Sequence, residues 1–123
     1  LKYFSPKEFE CKCGCGLNNL HPAFDSKLDW LRTIVGGPVR VNSACRCHSH
    51  NAKVGGKPHS YHLNGMAVDL STKTVTNREL FIIAVRVGFG GVIQYENFVH
   101  VDLRPTTYIK PLEARLESSE EPQ

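Results

Sequence analysis

Two histidines and an aspartate, His62, Asp69 and His100, are residue types that bind a metal ion. His62 and Asp69 lie seven positions apart in Ser60-Tyr61-His62-Leu63-Asn64-Gly65-Met66-Ala67-Val68-Asp69. His100 stands in Phe98-Val99-His100-Val101-Asp102. Neutral imidazoles and a carboxylate suit Zn2+, and three protein ligands leave a fourth position for water, the arrangement of a catalytic zinc. A lone histidine is more often a surface or structural residue. A His-Asp pair with a separate histidine on a strand is a rarer combination.

The elements around these residues must bring them together. Side chains alternate faces along a strand. In the last apolar segment Val99, Val101 and Leu103 therefore share the core side, and Phe98, His100 and Asp102 share the other. Met66 to Leu70 reads as a short strand that presents Asp69 to one face. The turn through Asn64-Gly65 folds His62 back toward that face, and glycine permits backbone angles that other residues resist.

The remaining elements form a small frame. Ser5-Pro6-Lys7-Glu8 is a capping box with proline at the first helical position, so a short helix runs to about Cys11. Phe24, Leu28, Leu31 and Val35 make the stripe of an amphipathic helix stopped by Gly36-Gly37, and Trp30 is expected to pack in the core with Phe24. Val39 to Ser43 alternates as a strand, and Ala44 to Ser60 reads as a long polar loop. Long ordered loops often carry function, and this one holds Arg46, three histidines and Asn51. Thr76 and Glu79 cap a helix to about Val87, with Leu80, Ile83, Ala84 and Val87 on one face. Gly91 to Tyr95 and Phe98 to Leu103 form a hairpin across Glu96-Asn97. This order predicts an α+β domain: a small antiparallel sheet with helices packed on one face.

Bulk properties agree with one domain. The chain has 123 residues, 41% hydrophobic and 22% charged, enough for one core. Residues 1–112 are expected to form it, with 113–123 a partly disordered tail. The net charge of +3 comes from scattered basic residues, which argues against nucleic acid as a partner. No apolar run approaches the roughly 20 residues of a membrane helix. No signal peptide is visible and the first residue is not Met, so the export route stays open.

Five cysteines fall into two clusters, Cys11, Cys13 and Cys15, then Cys45 and Cys47. The odd count leaves at least one thiol outside any intrachain pairing. Two readings stand: disulfides or free thiols, or a second, structural Zn2+ on these cysteines. C-x-C-x-C with C-x-C is not the usual C-x2-C spacing of a zinc knuckle.

The segment Ser60 to Asp69 resembles the S-x-H-x-x-G-x-A-x-D motif of the peptidase M15 family. These are zinc D-Ala-D-Ala carboxypeptidases and related peptidoglycan peptidases, including phage endolysins. Phe98-Val99-His100-Val101-Asp102-Leu103-Arg104 resembles the closing H-x-D segment. Val41-Asn42-Ser43-Ala44-Cys45-Arg46-Cys47 with His50 to Gly56, and the opening Phe4 to Phe9, resemble the lead-in of the small members. The likeness extends to about Arg104. It implies a hedgehog/DD-peptidase-like fold and one catalytic Zn2+ on His62, Asp69 and His100. It also implies peptidoglycan stem peptides as substrate, action at the bacterial cell wall and a monomeric enzyme. Arg46 would pair with a peptide carboxylate, for which its planar fork is suited. Ser60 would orient substrate or a ligand, and His59 would add a substrate contact or a proton donor.

The general base departs from the family pattern. Many members place an acid three positions before the last ligand histidine, where this chain has Asn97. Asp102 and Glu96 are the two acids nearby, and Asp102 is preferred because it shares a strand face with His100. The alternatives are an orienting partner for Asp102 and a solvated turn carboxylate for Glu96. Hedgehog domains share the fold and zinc site yet act as binding proteins, so a non-catalytic zinc-containing domain that binds wall or a partner is the second hypothesis. A structural module held by its cysteines is the third.

Overall fold

The computed structural model describes residues 1–112; the tail expected at 113–123 lies outside them. Five strands form one sheet: β1 (Val39–Ser43), β2 (Ala67–Thr72), β3 (Gly91–Gln94), β4 (Val99–Asp102) and β5 (Tyr108–Lys110). Their spatial order is β1-β2-β4-β3-β5. The first four pair antiparallel, as the α+β reading requires. The fifth adds a parallel edge to β3. Three residues are too few to show alternation, and β5 is held largely through backbone, with Tyr108 N–H donating to Gly90 C=O at 2.9 Å.

Helices α1 (Phe24–Val35) and α3 (Asn77–Val87) cover one face of the sheet. Phe24, Leu28, Leu31 and Val35 are all buried, as their spacing predicts. They join Leu80, Phe81 and Ala84 of α3 and Val68, Leu70, Val92, Val99 and Val101 of the sheet in one core. The α3 capping box is complete, with Thr76 Oγ1 accepting from Glu79 N–H at 3.0 Å and Glu79 Oε1 accepting from Thr76 N–H at 2.8 Å.

Trp30 is not in the core; it is 58% exposed. It sits two residues past Leu28, about 200° around the helix, and so faces away from the sheet. Leu28→Ala is therefore expected to cost about 2–5 kcal/mol, and Trp30→Ala no more than about 0.5 kcal/mol. Urea denaturation of the two variants checks this.

The segment from Ala44 to Ser60 is not all loop. It contains α2 (His48–Lys53). Six residues with no apolar stripe leave no periodic signal, and the Cys47 thiol caps the helix by accepting from His50 N–H. Short 3-10 turns run Pro6–Phe9 and Tyr61–Asn64. Among the described residues no helix is long and apolar enough to cross a membrane.

Candidate metal centre

The sheet register builds the site. In the β2–β4 pair Asp69 stands opposite His100, and Ala67 opposite Asp102. Opposed residues share a face, so Asp69, His100 and Asp102 all lie on the side away from the helices. Val68, Leu70, Val99 and Val101 take the core side.

His62 arrives from the 3-10 turn. Ser60 Oγ accepts from His62 N–H at 3.1 Å and opens that turn. Gly65 closes it at φ +68. A side chain at Gly65 would run into the backbone carbonyl of Asn19, so both the angle and the space require glycine.

Three donor atoms converge. His62 Nε2 lies 3.3 Å and His100 Nδ1 3.0 Å from the same Asp69 Oδ1. Zinc bonds of about 2.0–2.2 Å in a tetrahedron place neighbouring ligand atoms about 3.3–3.6 Å apart. The opposite nitrogens explain which atoms face inward. His62 Nδ1 is 2.7 Å from Ala44 C=O. A carbonyl can only accept, so Nδ1 carries the proton and Nε2 presents its lone pair to Asp69. His100 Nε2 is 2.8 Å from Asp102 Oδ2, which turns Nδ1 toward Asp69. Lone pairs of two imidazoles and a carboxylate aimed at one point repel unless a cation lies among them.

Without a metal, a proton on His100 takes the place of that cation. Burial opposes charge on His100, but its hydrogen bonds to Asp102 and Asp69 outweigh this and raise its pKa to about 9. Burial would likewise raise the Asp69 pKa, and the two histidines instead hold it well below the usual carboxylate range.

Asp102 lies behind His100, not in front of it. It is fully buried. Its carboxylate accepts from Arg104 Nε at 2.9 Å, Arg104 Nη2 at 2.6 Å and Arg104 backbone N–H at 3.0 Å. The Arg104 guanidinium lies over the rings of Tyr61 and Tyr108, 4.9 and 4.7 Å from their centroids. Gly91, opposite Asp102 in β3, leaves room for this pair; a Cβ there would strike both partners.

A cavity of about 530 Å³ opens over the centre. Its wall includes His62, Asp69 and His100, with Arg46, His59, Ser60 and Tyr61 from the preceding segment. Ile93, Tyr95, Phe98, Arg104 and Tyr108 line it too. Neither Asp102 nor Glu96 is among the lining residues, and Glu96 is exposed in the hairpin turn. These are the two acids weighed as general base, and both stand off the cavity wall. His48 and His50 also lie outside the lining.

Arg46 is held on three sides. Its Nε donates to Ser43 Oγ at 3.1 Å and its Nη1 to Asn51 Oδ1 at 3.2 Å. Its Nη2 stands 3.6 Å from Asp69 Oδ2, a long ion pair. Asn51 is buried and also donates to Lys57 C=O.

From the sequence Asn51 stood out only as part of a polar loop, and Arg104 and Tyr108 had no role. Arg104, two residues after Asp102 at a strand end, was the one with a visible signal. Asn51 and Tyr108 depend on elements with no periodicity.

No curated protein matches the chain. A model of the peptidase M15 family matches residues 2–102, a span that includes all three candidate ligands, Arg46 and Asp102. The chain belongs to the peptidase M15 family, whose members are zinc-dependent peptidases.

Proposed function

We propose that this chain is a zinc peptidase that hydrolyses amide bonds in peptidoglycan stem peptides, acting as a monomer at the bacterial cell wall. The reading rests on one observation above the others: His62 Nε2, Asp69 Oδ1 and His100 Nδ1 converge on the wall of a cavity that also holds Arg46. These three atoms would hold Zn2+. A zinc ion there supplies Lewis acidity, polarising a carbonyl and making water nucleophilic near neutral pH.

The chain's own residues do the rest. Ala44 C=O and Asp102 fix the two imidazoles in the orientation that leaves one nitrogen of each bare. Arg46, braced by Ser43 and Asn51, pairs with a substrate carboxylate and holds the scissile bond at the centre. Ser60 keeps the His62 turn in place through its own hydrogen bond. His59, exposed on the cavity wall, carries the proton from the attacking water to the leaving amine. That task falls to it because Asp69 is the only carboxylate among the described residues lining the cavity. A carboxylate anchor favours cleavage near a C-terminus; endopeptidase cleavage would use the same groups.

Chelation of the purified protein is expected to stop release of peptide fragments from peptidoglycan, and added Zn2+ to restore it. Mass spectrometry of the new termini names the bond. His59→Ala is expected to lower kcat by about 10²-fold with zinc content unchanged, and Glu96→Ala to leave turnover intact. Cleavage that persists after complete removal of metal defeats the reading.

The shortage of carboxylates in the cavity also favours a second reading, a zinc-containing domain that binds wall peptides without cutting them. Zinc-loaded protein that retains stem peptides and leaves them whole would select it.

A further inference from the structure

We propose that Cys11, Cys13, Cys15 and Cys47 form a second, structural Zn2+ site that clamps the N-terminal segment onto the start of α2. Four sulfurs about 2.3 Å from a zinc at the centre of a tetrahedron stand about 3.8 Å from one another. Here Cys11 Sγ lies 3.5 Å from Cys13 Sγ and 3.8 Å from Cys47 Sγ, and Cys13 Sγ lies 3.8 Å from Cys47 Sγ. Cys15 completes the group, all four sulfurs lying within 4.8 Å of one another. A disulfide set would instead draw the sulfurs into pairs, whereas Cys11 is nearly equidistant from two partners.

The local chain is shaped for this convergence. Gly14 and Gly16 take φ +90 and +85, turning the backbone between and after the closely spaced cysteines so that alternate side chains meet on one side. Gly14 N–H donates to Cys11 C=O and Cys11 N–H to Leu17 C=O, which closes the loop. Two backbone amides point at sulfurs: Cys47 N–H donates to Cys11 Sγ at 3.4 Å, and His50 N–H to Cys47 Sγ at 3.4 Å. Such donors stabilise thiolates and are the usual outer partners of metal ligands.

Cys45 is excluded despite its place in the sequence. It is buried and its thiol donates to Asn18 Oδ1 at 3.7 Å, outside the cluster. The clamp therefore uses four of the five cysteines, which explains both the odd count and the unusual C-x-C spacing. Binding releases the thiol protons to solvent, with no change in oxidation state.

The test is metal content of reduced, zinc-saturated protein after removal of free metal, with X-ray absorption at the zinc edge. Wild type is expected to carry two zinc ions per chain. The double variant Cys13→Ser/Cys15→Ser is expected to carry one, and Cys45→Ser two. The double variant His62→Ala/Asp69→Ala is expected to retain one, with sulfur neighbours alone at about 2.3 Å. This last protein leaves the cysteines intact, so it decides the matter even where the cysteine variants fail to fold. It also separates the clamp from the peptidase centre. Retained zinc with only nitrogen and oxygen neighbours, no retained zinc, or native zinc-loaded protein with all five thiols open to alkylation would overturn the proposal.

Discussion

Asp69→Ala is expected to reduce kcat/KM on peptidoglycan fragments by on the order of 10³-fold, the equivalent of several kcal/mol of lost metal electrophilicity. Asp69 provides the one oxygen that both imidazoles face, at 3.3 and 3.0 Å. Without it, two neutral nitrogens remain, and the charge that attracts a divalent cation to the cavity is gone. The variant should also lose the zinc held at this centre, measured as metal per chain. His62→Ala should behave alike, because Nε2 of His62 is the only donor delivered by the 3-10 turn. If Asp69→Ala keeps both its metal and its turnover, the ligand assignment is wrong.

Asp102→Ala is expected to act through the metal and the fold together. Zinc affinity should fall about 10–100-fold, since Asp102 holds His100 with Nδ1 toward the centre. Stability should fall by about 3–5 kcal/mol, because the variant leaves the Arg104 charge without its buried partner. Space beside Gly91 would also open. Asp102→Asn keeps the volume and isolates the loss of charge. Saturating zinc distinguishes a positioning residue from a general base. If Asp102 only orients His100, turnover of Asp102→Asn recovers as zinc is raised. If it takes the proton, a deficit of about 10²–10⁴-fold persists at full occupancy. Zinc titration of turnover, with chemical denaturation of both variants, gives the answer.

Both predictions concern residues that were visible in the sequence, but with unequal clarity. His62, Asp69 and His100 were legible because strand alternation sends Asp69 and His100 away from the apolar core residues on either side of them. The apolar faces of α1 and α3 were legible for the related reason that burial has a period. Trp30 shows the limit: an aromatic residue was assigned to the core by type, while its angle around α1 sends it to solvent. The helix α2 and strand β5 were missed because six and three residues carry no period. Their consequences were missed with them: Asn51 braces Arg46, and Tyr108 stacks on Arg104.

The sequence by itself determined the residue types of the centre, the faces they occupy and the α+β order of elements. These depend on local periodicity and on turn residues, which neighbours along the chain dictate. Only the tertiary structure decided which side of His100 Asp102 occupies. Sharing a strand face made it a neighbour, but the Arg104 fork and the space over Gly91 draw it behind the imidazole, away from the cavity. Likewise only packing across the chain selected Cys47 over Cys45 to join the N-terminal cysteines. The two differ by two positions in sequence; the interior takes up one sulfur and leaves the other on the cluster.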